Sequence, residues 1–254
     1  MKLEQMTWPA VDKYLKDSDV IVIPIGSIEQ HGPTGLLGTD AMCPTIIAEK
    51  AAESVDVMVA PTFAVGCAQH HMAFAGSMAL RPTTMIAAMV DWVDSLTRHG
   101  FRHLYWLNGH GGNTPVIQSA FAEVHARRSL ATAGTVPAVK LQSKGWWDFE
   151  PVAALCERLY PKGHGSHATP SEIAVTMTRH EVSATAEGIV GPAIAPNGPI
   201  SDAIAYRETF PDGRIGSNPL LANVEDGHRI VEVAADCVAK DLARFGRPGG
   251  AARP

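Results

Sequence analysis

Cysteine is scarce and unpaired in this chain: Cys43, Cys67, Cys156 and Cys237 stand far apart in 254 residues, with no Cys-x-x-Cys among them. That excludes a paired-thiolate zinc site and gives no disulfide framework, so a reducing cytoplasm is the expected setting. A basic excess is also missing. The 21 Lys and Arg residues against 26 Asp and Glu leave a net charge of −5, and no nucleic-acid partner is expected. No run approaches the ~20 apolar residues that a membrane helix needs. The N-terminal MKLEQMTWPAVDKYLKDSD lacks the apolar centre of a secretory signal and reads as a short amphipathic helix. Neither a membrane partner nor secretion follows. Two nucleotide fingerprints are absent as well, the G-x-G-x-x-G turn and the Gly-Lys-Ser/Thr end of a P-loop.

What is present is apolar and rhythmic. Hydrophobic residues make up 46% of the chain, enough for one large α/β domain over residues 1–245 with a flexible tail at 246–254. Strand-like and helix-like runs alternate in the β-α-β manner of a mostly parallel sheet. The β-branched run at 20–25 is followed by a helix over Ala41 to Ser54 and a strand over Val55 to Pro61. A helical pattern covers Thr83 to Arg98, with Gly100 at its stop. Strands are predicted over Arg102 to Leu107 and Val136 to Leu141, and helices from Pro115 to Ser129 and from Pro170 to Thr178. Asn223 caps a last helix that reaches Phe245. Between Glu181 and Pro219 the chain is rich in Gly, Pro, Ser and Asn and reads as a long ordered excursion over the surface or toward a neighbouring subunit.

The chemistry gathers where the strands end. VIVIPIGSIEQHGPTGLLGTD, from Val20 to Asp40, sets Glu29 and His31 two residues apart in an extended segment, so both point to one side. The turn formers Gly32, Pro33, Gly35 and Gly38 let Asp40 return to the same point. Glu, His and Asp are oxygen and nitrogen donors suited to Zn, Mn or Fe; a polar surface loop with a capping Asp is the plainer reading. After the strand at 102–107 comes NGHGGN, where His110 sits between glycines that let backbone approach an ion or substrate. The carboxyl end of a strand is where open α/β sheets gather ligands. A phosphate-cradling turn is the competing reading of NGHGGN, without the lysine and hydroxyl that such a loop uses. His70 and His71 lie in a Gly/Ala-rich loop near this edge. Trp146 and Trp147 follow a strand end, where they would wall a pocket or serve a subunit contact equally well. Glu172 opens a helix, as a helix dipole favours, downstream of His164 and His167.

Four blocks in order carry a family resemblance: G-S-x-E-Q-H-G-P…L-G-T-D at Gly26 to Asp40, H-x-x-F-x-G-S at His71 to Ser77, R-H-G-F-R-H…N-G-H-G-G-N at Arg98 to Asn113, and H-A-x-x-S-E at His167 to Glu172. Together they resemble the creatininase (creatinine amidohydrolase) family of dinuclear metal hydrolases, from Ile23 to Thr176. The resemblance implies a three-layer α/β/α sandwich, commonly a homo-hexamer, whose two divalent ions hydrolyse a C–N bond of a small cyclic or linear amide. Matched residue by residue, Glu29, Asp40 and His110 would hold one ion, and His31 with the bridging Asp40 the second. His167 takes the place of the catalytic histidine, and Trp147 lies near a mobile tryptophan that covers substrate. His71, Gly111 and Gly112 fall at substrate-binding positions.

Two departures matter. Creatininase itself carries a metal-binding glutamate two residues after the histidine of the NGH block, where this chain has Gly112, so the chain resembles the NGHGGN-type branches rather than creatininase. Glu172 is the residue expected to complete the second site there, standing with His167 among the reacting groups. Ile173 and Ala174 replace the Thr and Ser of many members. Deformylation of a formamide and cleavage of a short peptide fit the same site, and a metal-stabilised oligomeric partner without turnover is the non-enzyme alternative.

Overall fold

The computed structural model describes residues 1–182 and 185–246. After a single 3-10 turn, the described chain runs α1 (Trp8–Asp17), β1 (Val20–Ile25), α2 (Thr39–Ala51), β2 (Met58–Val59), α3 (Pro82–His99) and β3 (His103–Asn108). It continues with α4 (Thr114–Leu130), β4 (Lys140–Gly145), α5 (Glu150–Leu159), α6 (Pro170–Met177), α7 (Ala203–Thr209) and α8 (Val224–Phe245). The strands form one parallel sheet in the order β2-β1-β3-β4.

Alternation along the strands explains the layers. On β1, Val22 joins a core with Ile46 and Ile47 of α2, Val152 and Leu155 of α5, Val175 of α6 and Ile230 to Leu242 of α8. Its neighbours Ile21, Ile23 and Ile25 join the opposite core with Tyr14 of α1, Met85 and Met89 of α3 and Ile117 of α4. A sheet buried on both faces needs apolar residues at every position, which is why β1 reads as an unbroken aliphatic run. The result is the expected three-layer α/β/α sandwich. Register places Ile25 beside Asn108 and Asn108 beside Gly145, so β1, β3 and β4 end level at one edge.

Local signals set the helix ends. Pro82, Pro115 and Pro170 open α3, α4 and α6, and Gly100 closes α3 with φ of 117°, a left-handed turn that costs glycine nothing. Asn223 caps α8 by accepting from the Asp226 N–H.

Three expectations need correction, and one helix is an addition. The strand expected over Val55 to Pro61 is confined to Met58–Val59: Ala60 and Phe63 still donate to the Val22 and Pro24 carbonyls of β1, but Pro61 between them has no N–H to continue a regular ladder. The strand expected over Val136 to Leu141 is shifted to Lys140–Gly145: β4 is an edge strand with a half-exposed, polar sequence, and its pairing with β3 overrides the apolar run before it. Helix α5 was not foreseen behind the tryptophan pair. The excursion after Glu181, of which residues 183 and 184 lie outside the described set, contains α7 and does not simply cover the surface. Arg214, wholly buried, pairs with Asp212 at 2.8 Å and donates to the carbonyls of Ala193 and Pro192, closing the segment on itself, and Ile215 ties it to His167 through an antiparallel bridge. The flexible tail was expected at 246–254; of it, residues 247–254 lie outside the described residues.

Candidate metal centre

The loop after β1 delivers Glu29 and His31, the start of α2 delivers Asp40, the loop after β3 delivers His110, and α6 delivers Glu172. Asp40 is therefore a helix residue rather than part of the expected loop. Its position depends on close backbone packing. A Cβ built on Gly26 or Gly109 would lie 2.1 or 1.9 Å from the Asp40 carbonyl oxygen, so only glycine lets α2 press this tightly on the ends of β1 and β3. The asparagines of NGHGGN brace the turn. Asn108 accepts from the His110 N–H at 3.1 Å and donates to its carbonyl at 2.7 Å, while Asn113 donates to the Gly26 carbonyl and accepts from Cys67 N–H. Thr169 and Glu172 form a capping box at α6, in which Glu172 Oε1 accepts from the Thr169 N–H at 2.5 Å. Its other oxygen, Oε2, stays turned toward His31 at 3.9 Å.

Two triads share Asp40. Glu29, Asp40 and His110 bring one donor atom each within 4.8 Å of one another, and so do His31, Asp40 and Glu172. Asp40 Oδ1 faces His31 Nε2 at 2.9 Å and Oδ2 faces His110 Nδ1 at 2.9 Å, while Glu29 Oε2 lies 3.2 Å from the same His110 nitrogen. Glu29, His31 and His167 form a third such group.

The donor set fits cations. His31 Nδ1 donates to the Glu29 carbonyl at 3.1 Å, and His110 Nε2 donates to the Cys67 carbonyl at 3.1 Å. Each neutral ring thus spends its one N–H on backbone, the arrangement typical of metal-ligating histidines, and turns a lone pair toward the carboxylates. Lone pairs of nitrogen and carboxylate oxygen at such distances repel unless a cation or an extra proton lies between them. Consistently, both oxygens of Glu29 and Oδ2 of Asp40 are buried with nitrogens at close distance but no aligned hydrogen bond. Such orphaned carboxylate atoms are costly in a protein interior and call for a positive partner.

Protonation shows the same tension. Burial pushes His31 and His110 down, but the carboxylates around them outweigh it, raising His31 to about 10 and His110 to about 9. Burial pushes Asp40 up, yet its contacts with His31 and His110 hold it below the ordinary carboxylate range. Glu29 is raised by burial, as is Glu172, to about 7. His71 is lowered to about 3, by burial first and then by the neighbouring histidines. His167 is lowered mainly by burial rather than by the nearby helix end, and is neutral in the fold.

A cavity of about 910 Å³ opens beside the centre. His71, Gly111, Gly112 and Trp147, the expected substrate-binding positions, all line it, together with Trp146 and Ile200. Gly111 has open space around it, whereas a Cβ on Gly112 would lie 2.4 Å from His110 Nε2. A glutamate at 112 is thus incompatible with the present setting of His110. Three neighbours of the centre were not singled out from sequence. Gln30 carried a signal, being flanked by two candidate ligands; Tyr206 and Gly213, which reach it from 176 and 183 residues away, carried none.

Among known proteins, the family profile described as creatinine amidohydrolase matches residues 4–242. The creatinine amidohydrolase of Pseudomonas putida is 29% identical over 165 residues, 63% of this chain; the match spans only 62% of that protein's length. A mycofactocin precursor peptide peptidase of Mycobacterium tuberculosis is 27% identical over 243 residues, covering 90% of this chain and 86% of its own. A solved creatinine amidohydrolase superposes with a TM-score of 0.85 at 26% identity, covering 97% of this chain and 98% of its own. Further solved creatininases are described as Mn and Zn–Zn forms. Neighbours described with Zn or Mn accord with the donor set here, and the fold, the ordered sequence blocks and the profile agree: the chain belongs to the creatininase family.

Proposed function

We propose that the protein is a dinuclear hydrolase that cleaves a C–N bond in a small cyclic or linear amide. The observation that carries this reading is Asp40, whose two oxygens face two different histidines in two donor triads. Glu29, Asp40 and His110 would hold one divalent ion; His31, Asp40 and Glu172 the other. Two such ions, Zn, Mn or Fe, supply Lewis acidity toward an amide carbonyl and lower the pKa of a water.

The protein's own groups do the rest. His167 donates Nε2–H to the Gln30 carbonyl at 2.7 Å, which leaves Nδ1 as a lone pair 3.7 Å from Glu29 Oε1. That atom can take up a proton and return it to the leaving nitrogen. Glu172 stands with it among the reacting groups through the ion it would hold. Trp147, half-buried over Gly145, and the open backbone at Gly111 shape the space for substrate. His71, buried in the cavity wall, lies 3.1 Å from Glu29 Oε1.

Cleavage of a short peptide is the second reading. It is favoured by the similarity to a peptidase over nine-tenths of the chain and by a cavity at the upper end of the ~300–1,000 Å³ typical of ligand pockets. Assembly as a homo-hexamer, which the family resemblance implies, and a cytoplasmic setting, which the scattered cysteines suggest, belong to the same proposal.

Elemental analysis tests the centre: the protein should take up two divalent ions, and Asp40→Ala should lose both. Retention of two ions in that variant rules out a shared carboxylate. Creatinine, lactams, formamidopyrimidines and short peptides, offered to the metal-loaded protein, then separate the substrate classes; no turnover on any of them favours a non-catalytic oligomeric partner.

A further inference from the structure

The Gln30 side chain lies at the junction of five groups, and two of them are backbone atoms whose hydrogen-bonding roles are fixed. Its Oε1 accepts from the Gly32 N–H at 2.8 Å, and its Nε2 donates to the Gly213 carbonyl at 3.0 Å. The amide orientation therefore follows without ambiguity. Nε2 has one hydrogen left and two ring nitrogens within reach, His71 Nδ1 and His167 Nε2, each at 2.9 Å. The second is already committed. His167 Nε2 lies 2.7 Å from the Gln30 backbone carbonyl, which only accepts, so this nitrogen carries a proton and cannot accept another. The remaining Gln30 hydrogen goes to His71 Nδ1, which at 2.9 Å lies nearer than the Tyr206 hydroxyl oxygen at 3.3 Å.

We infer that Gln30 is a positioning residue that gives His71 and His167 the same tautomer, protonated at Nε2, while the fold turns the two rings in opposite senses toward the centre. His71 then holds its Nε2–H 3.1 Å from Glu29 Oε1, close to it without hydrogen-bond alignment, and His167 holds the bare Nδ1 3.7 Å from the same oxygen. The rings are packed at 4.5 Å between centroids, so neither can reorient alone. One histidine thus sets a proton, and its neighbour a lone pair, beside the same Glu29 oxygen. Swapping either proton would set lone pair against carboxylate at Glu29 or remove the proton acceptor at His167.

The same geometry gives the excursion after Glu181 a task. Tyr206, in α7, donates to the Gly213 carbonyl at 2.8 Å and lies 3.3 Å from Gln30 Nε2. A Cβ on Gly213, whose φ is 86°, would lie 1.8 Å from Gln30 Oε1. The carbonyl that orients Gln30 is thus delivered by a residue with no side chain, in a conformation only glycine takes easily.

The inference concerns proton positions and stands or falls separately from the reaction proposed above. Imidazole 15N spectra of the full-length protein loaded with zinc read them directly, with His71 and His167 assigned by single substitution. Both rings should show a protonated Nε2 and an unprotonated Nδ1. Gln30→Glu keeps the shape and replaces the donor by an acceptor, so His71 should invert to the Nδ1–H form while His167, held by backbone, stays as it was. Gly213→Ala should displace the amide and give His71 a mixture of both forms. A wild-type His71 protonated at Nδ1 overturns the inference even if neither variant folds, and so does a His71 signature unmoved by Gln30→Glu.

Discussion

The two oxygens of Asp40 face histidines that have already given their N–H to backbone carbonyls, and this decides how the centre behaves without cations. Extra protons must then take the place of the ions, which is what values of about 10 for His31 and about 9 for His110 express. Both lie above the ~6.5 of an unfolded histidine. A raised folded value means that the stabilisation is complete below about pH 6.5 and is lost as pH rises through 9 to 10. Chelated protein should therefore melt at progressively lower temperature between pH 7 and 10, by differential scanning calorimetry. Adding zinc at pH 7.5 should release protons into a weak buffer, because ligating imidazoles must lose theirs. Zinc uptake without proton release contradicts the assignment. His167 answers a different question. His167→Ala should keep both ions and the fold while turnover drops ~10²–10⁴-fold, the usual worth of general acid–base catalysis. Loss of an ion in that variant would instead make His167 a ligand, as its grouping with Glu29 and His31 permits.

Among the elements, α6 couples a helix end to the chemistry. The same Glu172 side chain closes the capping box through Oε1 and turns Oε2 to His31. Thr169 holds the other half of the box, so Thr169→Ala should cost about 1 kcal/mol, as lost N-caps do. For a domain of this size that is roughly 2–4 °C in Tm. It should also weaken the second ion more than the first, since Glu172 belongs only to the His31 triad; equal weakening of both would detach the helix cap from the centre. The substitutions at Ile173 and Ala174 fit this element, for both are buried in a small cluster with Ala222 and have no need of a hydroxyl.

At the scale of the molecule, the segment from 185 to 218 is tied down by charge rather than by regular structure. Arg214 and Asp212 form a buried pair, and the guanidinium also holds the carbonyls of Ala193, Pro192 and Ser217. Arg214→Met leaves Asp212 buried and unpaired, a change worth about 3–5 kcal/mol in other buried pairs. The urea midpoint should fall accordingly and trypsin should cut the 185–218 segment first. Adding Asp212→Asn should restore part of the loss.

Local order alone determined much of this protein. The aliphatic run of β1, the caps of α6 and α8, the glycine stop of α3 and the placement of Glu29, His31 and His110 just past strand ends all arise from residues within a few positions of one another, so the sequence displays them. Even Asp40 was legible as a partner of Glu29, though its place on a helix was not. Tertiary structure decided what depends on distant neighbours. The register of β4 is set by pairing with β3, because a half-exposed polar strand has little pattern of its own. Gly112 is glycine because His110 Nε2 occupies the space a Cβ would need. Tyr206 and Gly213 meet Gln30 across some 180 residues of chain, where no periodicity connects them and only the packing of α7 against the turn at Gln69–His71 brings their hydrogen-bonding groups into reach.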